Sequence, residues 1–271
     1  MAGTTMPKPY LPRETLDHII DLLRDERETL KRCCLVSKPW VPRTRKHLFA
    51  YIHFRSASNL ESWKETFPDV ANTPACHTRR LLVGCPWLVV AADAEEGGWI
   101  RAFSGVASLE ITVASHDLHF TAAKVSLAPF HNFSPTLKSL RVDPTAFQYP
   151  QLFDLVLSFP LLENLSLACY YGIWFGDHDS DGPQSVVPST SPVLSGNLNF
   201  HVTGGGGKAA RRLLDLPNGL HFRRIALSWD LAGDVKWITE LVALCSHSLE
   251  YLDITRTPRS TSIRILLTPI T

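Results

Sequence analysis

No stretch of about eighteen uninterrupted apolar residues occurs in this 271-residue chain, which leaves out an ordinary helical membrane span. Charge of one sign is also lacking. The 27 Lys and Arg against 26 Asp and Glu leave a net charge of +1, too little to drive binding to nucleic acid or a membrane surface by bulk electrostatics. The first ten residues, with Pro7, Lys8 and Pro9, hold no apolar core of the kind a signal peptide needs, so an intracellular location, cytoplasmic or nuclear, is expected. Cysteine is sparse and unpatterned. Cys33 and Cys34 are adjacent, while Cys76, Cys85, Cys169 and Cys245 stand apart, with no small-domain disulfide framework. In a reducing compartment they read as small buried hydrophobes.

Catalytic and metal-binding signatures are missing as well. There is no Cys-x-x-Cys pair, and Cys76-His77 with Cys85 lacks a fourth partner at zinc spacing. His116-Asp117-Leu118-His119 reads as a solvent-facing loop. Asp177-x-Asp179-x-Asp181-Gly182 begins like a calcium loop, yet position twelve, where a bidentate Glu is needed, is Pro188. Gly207-Lys208 is followed by Ala209 and preceded at position 202 by Val, so phosphate-loop spacing fails on both sides. No Gly-x-Ser-x-Gly elbow supports a hydrolase. The chain is therefore expected not to be an enzyme and to need neither cofactor nor metal. Arg43, Arg45 and Lys46 make a small basic cluster that reads as a solvated helix face.

What is present is an ordinary globular composition, 45% hydrophobic and 20% charged, with the apolar residues strongly patterned. Leu16, Ile19, Ile20 and Leu23 fall at i, i+3, i+4 and i+7 and so share one helical stripe, which Leu22 widens. A second run places Leu30, Cys33 and Cys34 together, with Leu35 and Val36 on the neighbouring face. Trp40 follows four residues after Val36, within packing reach if the helix persists. So small a unit cannot hide both stripes internally, and the remainder must be covered by the rest of the chain or by another protein.

Leu11-Pro12, the spaced Leu16, Ile19 and Leu23, then Leu30 and the ending Leu35-Val36-Ser37-Lys38-Pro39-Trp40 resemble an F-box. The wording Cys33-Cys34-Leu35-Val36-Ser37 is similar to the F-boxes of large fungal families. The resemblance covers residues 10–50 and implies a helical module that docks on the Skp-type adaptor of a cullin-based ubiquitin ligase. The docking residues it suggests here are Leu11, Pro12, Leu16, Ile19, Ile20, Leu23, Leu35, Val36 and Trp40. Pro39 and Pro42 depart from the longer final helix usual in such modules. Pro39 is tolerated in a first helical turn capped by Ser37, and Pro42 restarts the helix through Phe49.

Beyond residue 50 the pattern changes. Residues 50–55 alternate as a short strand, and residues 59–67 place Leu60, Trp63 and Phe67 on one helix face that Pro68 ends. The template Leu-x-x-Leu-x-aliphatic then recurs, with its second anchors at Leu81, Leu109, Leu140, Leu165, Leu198, Ile225 and Leu252. The steps are 28, 31, 25, 33, 27 and 27 residues, resembling irregular leucine-rich repeats. Helices are expected over 150–159, 208–214 and 234–245, the last with Asp234 as N-cap.

The expected fold is α/β: residues 1–9 disordered, the helical module at 10–50, a linker or cap at 51–75, and a leucine-rich-repeat solenoid over 76–271 with a mobile insertion at 172–192. A doubly wound sheet is the alternative, since it too alternates strand and helix. The tail, Ile263 to Leu267, is apolar and too short for a full further repeat. Recognition residues would lie beside the leucine ladder, at Lys138, Ser139, Arg141, Glu163, Asn164, Ser166, Glu250, Tyr251 and Asp253. The resulting expectation is a substrate-recognition subunit of a Skp–cullin–F-box ligase that meets an adaptor, through it a cullin, and an unidentified protein target. The alternative is a repeat scaffold whose helical segment merely caps the array.

Overall fold

Alternation in Tyr51-Ile52-His53-Phe54 opens a sheet in which every later strand lies beside its predecessor in chain order. The computed structural model describes residues 11–84, 98–112, 127–142, 147, 149–169, 192–202, 207–216, 218–229, 236–256 and 261–266. Its helices are α1 (Arg13–Leu22), α2 (Arg27–Val36), α3 (Val41–Leu48), α4 (Ala57–Thr66), α5 (Gly98–Arg101), α6 (Tyr149–Leu157), α7 (Gly207–Leu214) and α8 (Lys236–Cys245). The strands are β1 (Tyr51–Phe54), β2 (Arg80–Val83), β3 (Ser108–Ile111), β4 (Ser139–Val142), β5 (Asn164–Cys169), β6 (Leu194–Val202), β7 (Leu220–Trp229), β8 (Tyr251–Arg256) and β9 (Thr261–Leu266). Short 3-10 turns cover Lys38–Trp40, Val70–Asn72, Pro74–His77 and Ala128–Phe133.

Among the described residues these strands make one nine-stranded sheet in the order β1 to β9. The first eight run parallel and β9 returns antiparallel against β8. The protein is thus a mixed α/β structure. Among these described strands the order does not reverse, as it does at the switch point of a doubly wound sheet. The antiparallel last strand has a simple cause. Only residues 257–260 separate β8 from β9, and a parallel crossover needs about a dozen residues or more.

The leucine anchors become one row of register partners. Ile52, Leu81, Leu109, Leu140, Leu165, Leu198, Ile225 and Leu252 stand side by side and are all buried. Two residues on, Phe54, Val83, Ile111, Val142, Leu167, Phe200 and Leu227 form a second buried row, continued by the half-buried Ile254. Period-two geometry sends these rows to one face of the sheet. The connecting segments cover that face: α5 packs on the Ala128–Phe133 turn, the turn on α6, α6 on α7, and α7 on α8. In α6, Leu152, Leu155 and Val156 are buried, followed just past the helix by Phe159. Each fully buried Leu or Phe contributes about 1.5–3 kcal/mol.

A recurring backbone device sets the register. The Ala50 carbonyl accepts from both Arg79 N–H and Arg80 N–H at 2.8 and 2.9 Å. The same double acceptance recurs at Arg79, Ala107 and Lys138. At β6 the pattern is broken by a bulge between Gly196 and Asn197. Gly196 has φ +89°, and a Cβ there would lie 2.2 Å from the Glu163 carbonyl oxygen, so both the backbone angle and the close approach require glycine.

The amino-terminal helices join this sheet without a gap. Residues 51–75, expected as linker or cap, contain β1 and α4. Ser56 caps α4 by accepting from Asn59 N–H. Phe49, just past α3, meets the edges of Trp63 and Phe67, both at 5.9 Å between centroids. Phe54 meets Trp63, Trp99 and Phe103 in the same edge-on way, and Thr78 Oγ1 donates to the Phe49 carbonyl at 3.0 Å. No helix among the described residues is long and apolar enough to cross a membrane. The expected disordered start, His116 to His119, the acidic loop at 177–182, most of the insertion at 172–192, Asp234 and Cys85 lie outside the described residues.

Candidate functional site

Helices α1 and α2 both pack on α3 and on the 3-10 turn at Lys38–Trp40. Few residues close this unit: Ile20, Leu30 and Cys33 are buried, as is Thr44, whose Oγ1 donates to the Trp40 carbonyl at 2.6 Å. Asp21 fixes α1 to α3. Its carboxylate accepts from Arg43 Nε at 2.6 Å, from Arg43 Nη2, and lies 2.7 Å from His47 Nε2. First the Arg43 hydrogen bonds and then the one with His47 hold this carboxyl far below the usual carboxylate range.

The predicted docking residues divide by exposure. Leu11, Pro12, Ile19, Leu35 and Val36 are exposed, Leu35 to 88%. Leu16, Leu23 and Trp40 are half-buried, and Ile20 is sealed in the module's own core. Trp40 does not share a helix with Val36. The chain turns extended at Ser37, with φ −156° and ψ 135°, and Pro39 sits in the first turn of the following 3-10 segment. Helix α3 restarts at Val41 with Pro42 in its first turn, where a missing N–H costs nothing. Leu22, read in the sequence only as widening the stripe, is 72% exposed and belongs with the outward set. Helical periodicity flags it, but not which part of the stripe α3 covers.

On the open face of the sheet, Glu110 lies between two arginines, 3.3 Å from Arg80 and 3.5 Å from Arg141. The Arg80 guanidinium sits over the Tyr51 ring at 5.4 Å. Further along, small polar side chains take over: Ser108, Ser139, Asn164 and Asn197 are register neighbours, and Asn197 Nδ2 donates to Asn164 Oδ1 at 2.6 Å. Of the recognition residues expected from sequence, Lys138, Glu163 and Glu250 are exposed, with Lys138 paired to Glu163 at 2.7 Å. Ser139, Arg141, Asn164, Ser166, Tyr251 and Asp253 are half-buried on this face. An exposed pair such as Lys138–Glu163 contributes at most about 1 kcal/mol.

No His, Cys, Asp or Glu group of three or more that could hold a metal ion occurs among the described residues. Cys33, Cys34, Cys76 and Cys245 are free thiols; Cys33 and Cys245 are buried, as expected, whereas Cys76 is exposed. Burial pushes the Cys245 thiol up, and its Sγ donates to the Leu220 carbonyl at 3.6 Å. Compared with family models, curated proteins and solved structures, the chain matches none.

Proposed function

We propose that the chain is a non-catalytic recognition subunit of a Skp–cullin–F-box ubiquitin ligase. Helices α1 to α3 serve as the F-box and the strand–helix array as a leucine-rich-repeat solenoid. The observation that carries this is the outward apolar set Leu11, Ile19, Leu22, Leu35 and Val36, concentrated on the segment whose wording resembles an F-box. Amphipathic helices dock apolar side chains into a partner's groove, and a few such anchors dominate affinity. The unreversed strand order and the single leucine row favour repeat stacking over a doubly wound sheet. The polar open face then meets the protein target, and the subunit acts by raising local target concentration for ubiquitin transfer performed by other subunits.

Co-purification with a Skp-type adaptor tests this. Leu22→Asp, Leu35→Asp and the double substitution Leu11→Ala with Pro12→Ala each lower adaptor retention by about tenfold or more. Undiminished retention in all three rejects the docking assignment.

One observation favours a second reading, a repeat scaffold capped by these helices: Phe49, Trp63 and Phe67 form a core shared by helices and sheet. Deleting residues 1–49 separates the two, since it removes all three helices together with Phe49 but spares β1. A docking module comes away and leaves one cooperative unfolding transition; a cap takes that cooperativity with it.

A further inference from the structure

At the amino-terminal ends of β7 and β8, two histidines from neighbouring strand–helix units face each other. His221 is the second residue of β7, in register with Ser195 of β6, and His247 lies in the turn after α8. Both are exposed. Their rings are 4.4 Å apart at 82°, and His247 Nε2 lies 2.9 Å from His221 Nδ1. Three contacts pin the backbone beneath them: Ser248 Oγ donates to the Phe222 carbonyl at 3.2 Å, Cys245 Sγ to the Leu220 carbonyl at 3.6 Å, and Glu250 N–H to the Arg223 carbonyl at 2.7 Å. The pair is thus held by the array itself, and its separation of 26 residues tracks the 27-residue step from Ile225 to Leu252.

We propose that His221 and His247 form a bidentate site for a late divalent transition-metal ion, of nickel(II) or copper(II) geometry, that bridges the two units. As a hydrogen bond, two neutral imidazoles share one proton between the facing nitrogens, one donating and one accepting. A metal ion takes the place of that proton and accepts the lone pairs of both facing nitrogens, the donor ring changing tautomer so that its single N–H moves to its other nitrogen. With metal–nitrogen bonds of about 2.0–2.1 Å, nitrogens 2.9 Å apart subtend about 90° at the ion. That is the angle between adjacent ligands of a tetragonal ion. Tetrahedral zinc requires the nitrogens to spread to about 3.3 Å, which the exposed rings reach only by swinging apart. Hard magnesium, which takes oxygen ligands, is excluded. Two protein ligands leave the remaining positions to water, so the site is open and its affinity modest. The proposal is independent of the adaptor assignment.

The test is calorimetric titration of the whole chain with nickel(II) sulfate in chelator-free, reducing buffer, paired with thermal unfolding. One nickel binds per chain and raises the unfolding temperature, because it binds only where both units are folded. His221→Ala and His247→Ala each weaken nickel at least about tenfold and abolish the thermal shift. His18→Ala, removing an exposed histidine on α1, changes neither, and nickel binds more tightly than zinc. His247→Asn separates ligation from packing: it keeps a hydrogen-bonding side chain and the metal-free unfolding temperature, yet loses nickel. Wild-type nickel affinity in the His221→Ala/His247→Ala double variant, or no binding by the wild-type chain at millimolar nickel, overturns the site.

Discussion

The helical module and the sheet are built from the same kind of apolar patterning, and they spend it in opposite directions. In the sheet the anchors from Leu81 to Leu252 each have a strand on both sides and connecting segments above, and Leu81, Leu109 and Leu140 are all fully buried. In the module three short helices share Ile20, Leu30 and Cys33 as an interior, while Leu22, Leu35 and Val36 face outward. The difference lies in geometry rather than composition. A strand in a parallel array is covered by its neighbours and by the next crossover, whereas among the described residues α1 and α2 pack mainly on α3 and one short turn. Apolar surface left over by folding is surface available for association.

The same substitution in the two regions gives the largest contrast. Leu140→Ala, at the middle of the sheet, empties a fully covered position and costs about 2–5 kcal/mol, read as a fall in the urea midpoint. Leu35→Ala removes an equal number of atoms from an exposed helix end and changes stability by about 0.5 kcal/mol or less. Equal losses would erase the distinction between inward and outward leucines. A larger loss at Leu35 would move the module's core to its carboxy-terminal helix end.

Much of the sheet was legible before any coordinates. The second anchors from Leu81 to Leu252 are register partners because a repeated spacing in sequence becomes a repeated position in stacked strands. The helices at 149–157, 207–214 and 236–245 fall on those expected at 150–159, 208–214 and 234–245, with ends shifted by one or two residues. The apolar tail alone does not announce that β9 runs antiparallel, although the short interval at 257–260 forbids a parallel crossover. In the module, periodicity groups Ile19 with Ile20 yet does not separate them; only the position of α3 decides that Ile20 is sealed and Ile19 is not. The Asp21 clamp was invisible for a like reason, since its partners lie 22 and 26 residues away with no periodic signal joining them. His221 and His247 sat one repeat apart, but each alone resembles any surface histidine.

The last prediction sharpens the comparison most, because it concerns the Asp21 contacts that fix α1 to α3 in the thinly cored module. Asp21 titrates below its ordinary value of 3.8 when folded, so on acidification the unfolded chain takes up this proton first. The stability it contributes is therefore complete above about pH 5, falls as pH drops through the unfolded value, and is gone only below the folded one. Asp21→Asn keeps the shape and one acceptor for Arg43 but removes the charge. Its loss of stability at pH 7 is smaller than that of Leu140→Ala, and relative to wild type it begins to shrink below about pH 5 and vanishes only below the folded value. The clamp joins α1 to α3, so the change concentrates in hydrogen exchange of α1 and α3 amides and leaves the central strands β3 to β5 protected. A uniform loss across β3 to β5, or a difference from wild type that grows on acidification, contradicts a local carboxylate clamp.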